Sequence, residues 1–222
     1  MDLHIQRALE AALQSYGEIA GVGVDGLSAQ LSGVFEADVP YLEKVALLDE
    51  AFDDHPKLEE LREIAFDLLL MNFFAADVEK LEGDYLESDE WEAIEDQTID
   101  RGTEVLNLLL YLRECADEAI EPQLEDYLKE FLLVDEDEFQ DEHRIYEPVI
   151  ANQLLVDSSY DEIAEVAAKI SQDTELAELF YPMMGFFYEQ RPTAQDWEEY
   201  IAASVNPAFD KAVYHLLVAY SR

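Results

Sequence analysis

Residues 58–76 read LEELREIAFDLLLMNFFAA, and this stretch decides the fold class. Its apolar residues recur at the i, i+3, i+4 and i+7 spacing of one helix face: Leu58, Leu61, Ile64, Ala65, Leu68 and Leu69. From Ala65 onward the stretch is apolar on nearly every side, as expected of a helix surrounded by protein. Asp67 and Asn72 interrupt it well before the roughly 18 apolar residues of a membrane span. The stretch therefore predicts a central core helix.

The same helical period extends outward in both directions. Residues 105–112 are again nearly all apolar, and a final stripe contains Phe209, Ala212, Val213, Leu216, Leu217 and Tyr220. Helix starts are indicated by four prolines and four capping pairs: Pro40, Pro56, Pro122, Pro207, Asp89 with Glu92, Asp135 with Glu138, Ser159 with Glu162, and Thr193 with Asp196. No convincing run alternates with the period of a strand. We therefore predict an all-α fold in one domain, residues 1–222, an irregular bundle of about nine or ten helices.

A glycine-containing segment, residues 17–38, interrupts the helical pattern. It holds five of the eight glycines and is interpreted as a connector with at most one short helix, with Gly17 ending the first helix in the left-handed conformation. Residues 21–26 fit G-x-G-x-x-G, but phosphate binding by that motif needs a preceding strand. Here an amphipathic helix precedes it, which favours a plain connector. Downstream, we expect one long helix from Asp89 towards Glu118, and a kink or split at Pro148.

Charge is the dominant feature of the composition. The chain has 53 Asp and Glu residues against 13 Lys and Arg, a formal net charge of −40 at pH 7, and the acids are not gathered in a tail. Because 50% of the residues are hydrophobic, the chain is expected to fold rather than remain disordered. A surface this anionic repels nucleic acid and anionic lipid and attracts basic surfaces. We expect a basic protein partner, no direct nucleic-acid binding and no membrane binding.

Two acidic clusters are the predicted partner-binding residues. The first comprises Asp89, Glu90, Glu92, Glu95 and Asp96; the second comprises Asp135, Glu136, Asp137, Glu138, Asp141 and Glu142. A shift of 46 residues along the chain aligns all five acids of the first cluster with five of the six acids of the second. This spacing suits HEAT-like pairs of helices, although repeat arrays usually show three or more copies. An irregular bundle is favoured, and HEAT-like stacking is the alternative.

Signals of catalysis are weak throughout. The carboxylates of residues 135–143 match no calcium loop, and no histidine follows a Glu at the spacing used by di-iron bundles. Cys115 has Glu114 and Asp117 beside it, which favours an inert thiol over a nucleophile. We predict no catalytic residue, no metal and no cofactor. The Met and aromatic segment Tyr181–Tyr188 fits either a core helix or a peptide-binding groove.

The expected location is the cytoplasm, because the N-terminal residues lack the basic and apolar regions of a signal peptide and a single cysteine allows no internal disulfide. The leading functional hypothesis is a non-enzymatic acidic interaction protein: a nucleic-acid mimic, nuclease inhibitor, immunity protein or chaperone of a basic partner. Two alternatives stay open. One is an ordinary helical protein of a high-salt cytoplasm, and the other is a helical enzyme or ligand carrier that uses core carboxylates.

Overall fold

The structure is a computed structural model that describes residues 1–76, 85, 87–131 and 139–222. These residues form twelve α-helices: α1 (Leu3–Ala20), α2 (Asp25–Glu36), α3 (Tyr41–Asp53), α4 (Arg62–Ala76), α5 (Asp89–Thr98), α6 (Val105–Glu118), α7 (Leu124–Phe131), α8 (Phe139–Ala151), α9 (Tyr160–Ala167), α10 (Phe180–Tyr188), α11 (Ala194–Ala203) and α12 (Pro207–Tyr220). Two 3-10 helices, Pro56–Leu61 and Gln153–Asp157, complete the described part, which contains no strand. The predicted all-α class is confirmed, and the predicted count of nine or ten helices is too low.

Helix α4 lies at the centre, as residues 58–76 predict. Ten of its residues are buried, including Asp67 and Asn72. The preceding turn is a 3-10 helix with Pro56 at its start, where the missing N–H of proline costs no hydrogen bond. The apolar face of this turn, Leu58 and Leu61, joins the same core.

Helices α1 and α12 pack along each other and bring the two ends of the chain together. Ser15 Oγ lies 2.7 Å from His215 Nδ1, and His4 Nδ1 lies 2.9 Å from the carbonyl oxygen of Tyr220. In a stacked repeat array each unit contacts only its neighbours. HEAT-like stacking is therefore not confirmed.

The 17–38 segment is more helical than its glycines suggest. Helix α1 passes through Gly17 and ends four residues later at Gly21, whose φ of 67° is left-handed. Gly17 is buried, and a Cβ there would lie 2.6 Å from Val24. The prediction that Gly17 ends the helix was wrong, because this glycine permits a close approach rather than a turn. Helix α2 then occupies Asp25–Glu36.

Helix α8 is not split by Pro148, contrary to one of the two outcomes predicted. It continues from Phe139 to Ala151 with the proline inside it. Pro148 lies in the last turn of the helix. Its missing N–H removes one helical hydrogen bond, and few others follow it, so the helix continues to its end. Among the described helices, none has both the length and the apolar character required to cross a membrane.

Candidate acidic interaction site

Helix α5 holds the first predicted acidic cluster, and one side of it is fixed to the core. Ile94 is buried, and the ring of Trp91 lies 5.4 Å from that of Phe74 on α4. The N-terminus is capped by Ser88, whose hydroxyl accepts the Trp91 N–H at 3.2 Å. The prediction that Asp89 caps this helix is therefore wrong by one residue. With Ser88 in that place, Asp89 is the first helical residue, where a carboxylate is favoured by the helix dipole.

The five predicted acids of α5 are all exposed: Asp89, Glu90, Glu92, Glu95 and Asp96. Eight residues of helix span about 12 Å, so one carboxylate occurs in about every 2.4 Å of axis. Residues 81–100 contain no Lys, Arg or His, and none of the salt bridges between described residues involves these five acids. The structure therefore displays the first cluster on the exposed surface of α5, with no salt-bridge partner among the described residues.

The second predicted cluster cannot be placed beside the first. Asp135, Glu136, Asp137 and Glu138 lie outside the described residues, and so do the side chains of Asp141 and Glu142. The backbone of the last two belongs to α8. The assignment of these six acids to partner binding stays a prediction.

The long helix expected from Asp89 to Glu118 is interrupted by a loop, residues 99–104. Gly102 has a φ of 84°, in the left-handed region, and a Cβ there would lie 2.6 Å from Asp67 Oδ1 and 3.3 Å from the ring of Phe66. Glycine is the residue that tolerates this conformation and this approach. The chain consequently turns at this point, and the prediction of one helix was wrong.

Charged side chains on α3 and α4 anchor the loop. The Arg101 guanidinium donates to both carboxylate oxygens of Asp49 at 3.0 and 3.1 Å, and its Nε lies 3.1 Å from each oxygen of Glu63. The Gly102 N–H also donates to Glu63, at 2.8 Å. Planar, two-pronged contacts of this kind are the strongest form of the arginine–carboxylate pair. They neutralise Arg101 and hold the loop in one conformation.

A buried carboxyl, Asp67, completes the anchor. It accepts the backbone N–H of Thr103 at 3.0 Å and the Thr103 hydroxyl at 2.6 Å. Burial raises the pKa of Asp67 well above its ordinary value, although the two hydrogen bonds from Thr103 act in the opposite direction. Asp67, which interrupts the apolar sequence of α4, thus holds the 99–104 loop in place.

Beside the anchored loop lies a cavity of about 600 Å³, which we name the 99–104 groove. One wall is residues 99–104, and the other is formed by Glu175, Glu178 and Leu179, with Phe209 of α12. Leu179 and Phe209 are almost fully buried, whereas the side chain of Ile99 is 77% exposed. The groove combines apolar surface with the carboxylates of Asp100, Glu104, Glu175 and Glu178.

Glu104 is fixed in position by a chain of buried hydroxyls. One of its carboxylate oxygens accepts the Tyr146 hydroxyl at 2.6 Å and the Asn107 amide at 3.0 Å. The Tyr146 hydroxyl lies 2.8 Å from that of Tyr127. Burial, followed by the neighbouring Tyr127 and Glu104, raises the pKa of Tyr146, so it remains a protonated donor.

A second buried carboxyl lies next to the groove residue Phe209. Asp210 is 4% exposed and accepts the Ser204 hydroxyl at 2.5 Å. Burial raises its pKa to about 6, and the charges of Glu178 and Glu60 add to this effect, against the hydrogen bonds that lower it. The charge of the groove residue Glu178 therefore acts on a carboxyl that is buried in the core.

The other chemical candidates of the sequence are structural. Cys115 is buried, with 1% of the residue exposed. Residues 180–187 are all buried and Tyr188 is half-buried, so the Met and aromatic segment belongs to the core rather than to an open groove. Gly185 allows this packing, because a Cβ there would lie 2.9 Å from the ring of Tyr200. Among the residues searched, no group of three or more His, Cys, Asp and Glu side chains is arranged to hold a metal ion.

The acidic cluster of α5 is visible in the sequence, and its role in binding stays a prediction, whereas the 99–104 groove was not predicted. Its residue Ile99 was missed because the loop was interpreted as helix, and no sequence pattern places Glu175 and Glu178 beside that loop. The available signal was Gly102, a glycine inside a helical pattern, which costs stability unless the conformation requires it. Comparison of the chain with protein-family models, with curated proteins and with solved structures finds no match.

Proposed function

We propose that this protein is a non-enzymatic interaction protein whose acidic surface binds a basic protein surface. The observation that supports it is the exposed face of α5, where five carboxylates lie within about 12 Å of helix axis without a salt-bridge partner among the described residues. An uncompensated field of one sign selects partners of the opposite sign. The partner we expect is a cytoplasmic basic protein.

Within this class, the spacing of the charges favours a nucleic-acid mimic or nuclease inhibitor. Duplex DNA carries one charge per roughly 1.7 Å of axis, and α5 carries one per about 2.4 Å at the standard helical rise. A protein that recognises a phosphate backbone with Lys and Arg side chains meets a similar density of anions on α5. An immunity protein or a chaperone of a basic partner uses the same attraction.

The hypothesis of an enzyme or ligand carrier built on core carboxylates has less support. The two buried aspartates, Asp67 and Asp210, each accept hydrogen bonds from the chain itself, through Thr103 and Ser204. Such contacts hold loops in place and occupy the oxygens that a substrate would need. The remaining hypothesis, adaptation to high salt, predicts a different dependence of stability on ionic strength.

A binding experiment with a matched charge control tests the proposal. The probes are purified proteins with isoelectric points above about 9, immobilised at low ionic strength beside neutral proteins of similar size. The variant Glu92→Gln/Glu95→Gln/Asp96→Asn removes three charges from α5. The control Glu114→Gln/Asp117→Asn/Glu118→Gln removes three exposed charges from α6. We expect wild type to bind basic probes, and the α5 variant to lose about tenfold more affinity than the control.

Two results would contradict the proposal. If wild type binds no basic probe at low ionic strength, the anionic surface has another purpose. If both triple variants lose the same affinity, binding reflects net charge alone and α5 is no interface. Salt titration adds a check, because attraction between exposed charges weakens as the screening length falls.

A further inference from the structure

The 99–104 groove differs from the rest of the anionic surface because it offers apolar contact as well as charge. Ile99 is a large aliphatic residue left 77% exposed at the groove, and it supplies most of the apolar contact, because Leu179 and Phe209 of the opposite wall are almost fully buried. A diffuse acidic coat requires no such surface. The combination fits a ligand that has both an apolar stem and a cationic end.

The charge of the groove is negative even though Arg101 is one of its lining residues. The Arg101 guanidinium is held by Asp49 and Glu63, which accept all of its contacts described above. On the opposite wall, Glu175 and Glu178 form no salt bridge with any described residue. An entering cation therefore meets two exposed carboxylates that have no salt-bridge partner among the described residues.

The wall is ordered before any ligand arrives. Arg101, Gly102 and Thr103 are tied to three acids on α3 and α4, and Glu104 is oriented by Tyr146. Binding at a preformed wall avoids the entropy cost of ordering a loop. A cavity of about 600 Å³ is also within the size range of small-ligand pockets, so a single long side chain can enter it.

We propose that the 99–104 groove receives an arginine side chain of the basic protein partner. The aliphatic part of arginine packs on Ile99, as long cationic side chains do on apolar surfaces. Its guanidinium holds its donors in a planar fork, which suits pairing with the carboxylates of Glu175 and Glu178. Lysine has a compact, strongly hydrated charge that gains less from such a site. This inference rests on the proposed function and names the group that the site recognises.

The test compares two labelled peptides of equal length, oligo-arginine and oligo-lysine, on the full chain at low ionic strength. The groove variant is Glu175→Gln/Glu178→Gln, and its control is Glu198→Gln/Glu199→Gln, two exposed acids of α11. A second pair changes no charge: Ile99→Ser in the groove, where the residue is 77% exposed, and Leu154→Ser as an exposed aliphatic control, 85% exposed. All four variants alter exposed side chains, and unchanged circular dichroism confirms that they fold.

We expect the groove double variant to bind oligo-arginine about tenfold more weakly than its control does. We expect Ile99→Ser to lose about threefold relative to Leu154→Ser, since less apolar surface is buried. In wild type, the methyl resonances of Ile99 are expected to shift on addition of oligo-arginine, while those of Leu154 do not.

The failures of the two proposals are distinguishable. If wild type binds neither peptide, the proposed function itself fails. If it binds them but the groove variants match their controls, the function stands and the groove assignment is overturned. If the groove variant weakens both peptides equally, or if free spermine binds the groove as tightly as oligo-arginine, the occupant is a general organic cation and the assignment to arginine is wrong.

Discussion

Buried carboxyls show how single residues are used in this very acidic chain. Asp67 and Asp210 are among the few acidic residues inside the described core. Asp67 accepts a hydrogen bond from the hydroxyl of Thr103, and Asp210 accepts one from the hydroxyl of Ser204. Burial raises the pKa of both, because removing a carboxylate from water penalises its charged form. These two residues thus hold loops in place, and their burial lowers the free energy of unfolding when pH is high enough to ionise them.

Replacing Asp210 with asparagine should stabilise the fold at neutral pH. The pKa of Asp210 is about 6 in the fold against an ordinary 3.8, so the folded state binds the proton more tightly than the unfolded state. The stability that protonation provides is complete below about pH 4 and is lost as pH rises through about 6, by about 3 kcal/mol at most. Asp210→Asn stays neutral throughout and keeps an oxygen that can accept from Ser204.

Urea unfolding at several pH values measures this effect. We expect Asp210→Asn to exceed wild type in free energy of unfolding at pH 7.5, with the difference vanishing near pH 4. The control is Asp161→Asn, an exposed aspartate on α9 that removes the same formal charge. An equal gain in the control would show that relief of net charge, rather than burial, is responsible.

At the scale of elements, local signals predicted what depends on neighbouring residues. The Ser159 cap of α9 and the Thr193–Asp196 capping box of α11 are confirmed, because both partners lie within one helical turn. The break between α5 and α6 was missed. It depends on Arg101 reaching Asp49, 52 residues away in the sequence. Gly102 is a local signal of the break, but no local pattern encodes the contact between Arg101 and Asp49, so the path of the loop and the groove beside it could not be predicted.

Two glycines in the left-handed conformation provide a test of this loop. At Gly21, which ends α1, a Cβ would meet open space, whereas at Gly102 a Cβ would lie 2.6 Å from Asp67 Oδ1. Gly21→Ala should cost about 1 kcal/mol of unfolding free energy from backbone strain alone. Gly102→Ala should cost more than about 2 kcal/mol, since Thr103 holds the Asp67 carboxyl in place. Chemical denaturation measures both losses. If the two variants lose the same free energy of unfolding, Asp67 and Thr103 move aside to accept the new Cβ and do not hold the loop rigidly.

At the scale of the whole molecule, the net charge of −40 is spread over an accessible surface of 11721 Å². This is about 290 Å² per net charge, against roughly 100 Å² per charge on duplex DNA, estimated from its axial charge spacing. The average coat is therefore too dilute to resemble a nucleic acid, and only a local face such as α5 approaches that density. The composition predicted the sign of the field, whereas its local concentration required the fold.

As the salt concentration increases, the melting temperature should rise modestly and then reach a plateau. Between about 0.01 M and 0.15 M salt the screening length falls from about 30 Å to 8 Å, which relieves most of the repulsion between exposed carboxylates. We expect the protein to be folded in dilute buffer and its melting temperature to level off well below molar KCl. The same series near pH 4, where many carboxylates are protonated, should show a smaller rise. A fold that forms only in molar KCl would instead support adaptation to high salt.

The pairing of α1 with α12 has a consequence for how the chain is made in the cell. The Ser15–His215 contact joins residues 200 positions apart, and α1 has nine buried residues, several of which face a helix that is synthesised much later. During translation α1 therefore emerges long before α12 exists, and the part of its apolar stripe that packs against α12 stays uncovered until that helix is made. Folding is completed only after synthesis of α12, which makes the emerging N-terminal helix a natural client for chaperones that bind nascent chains.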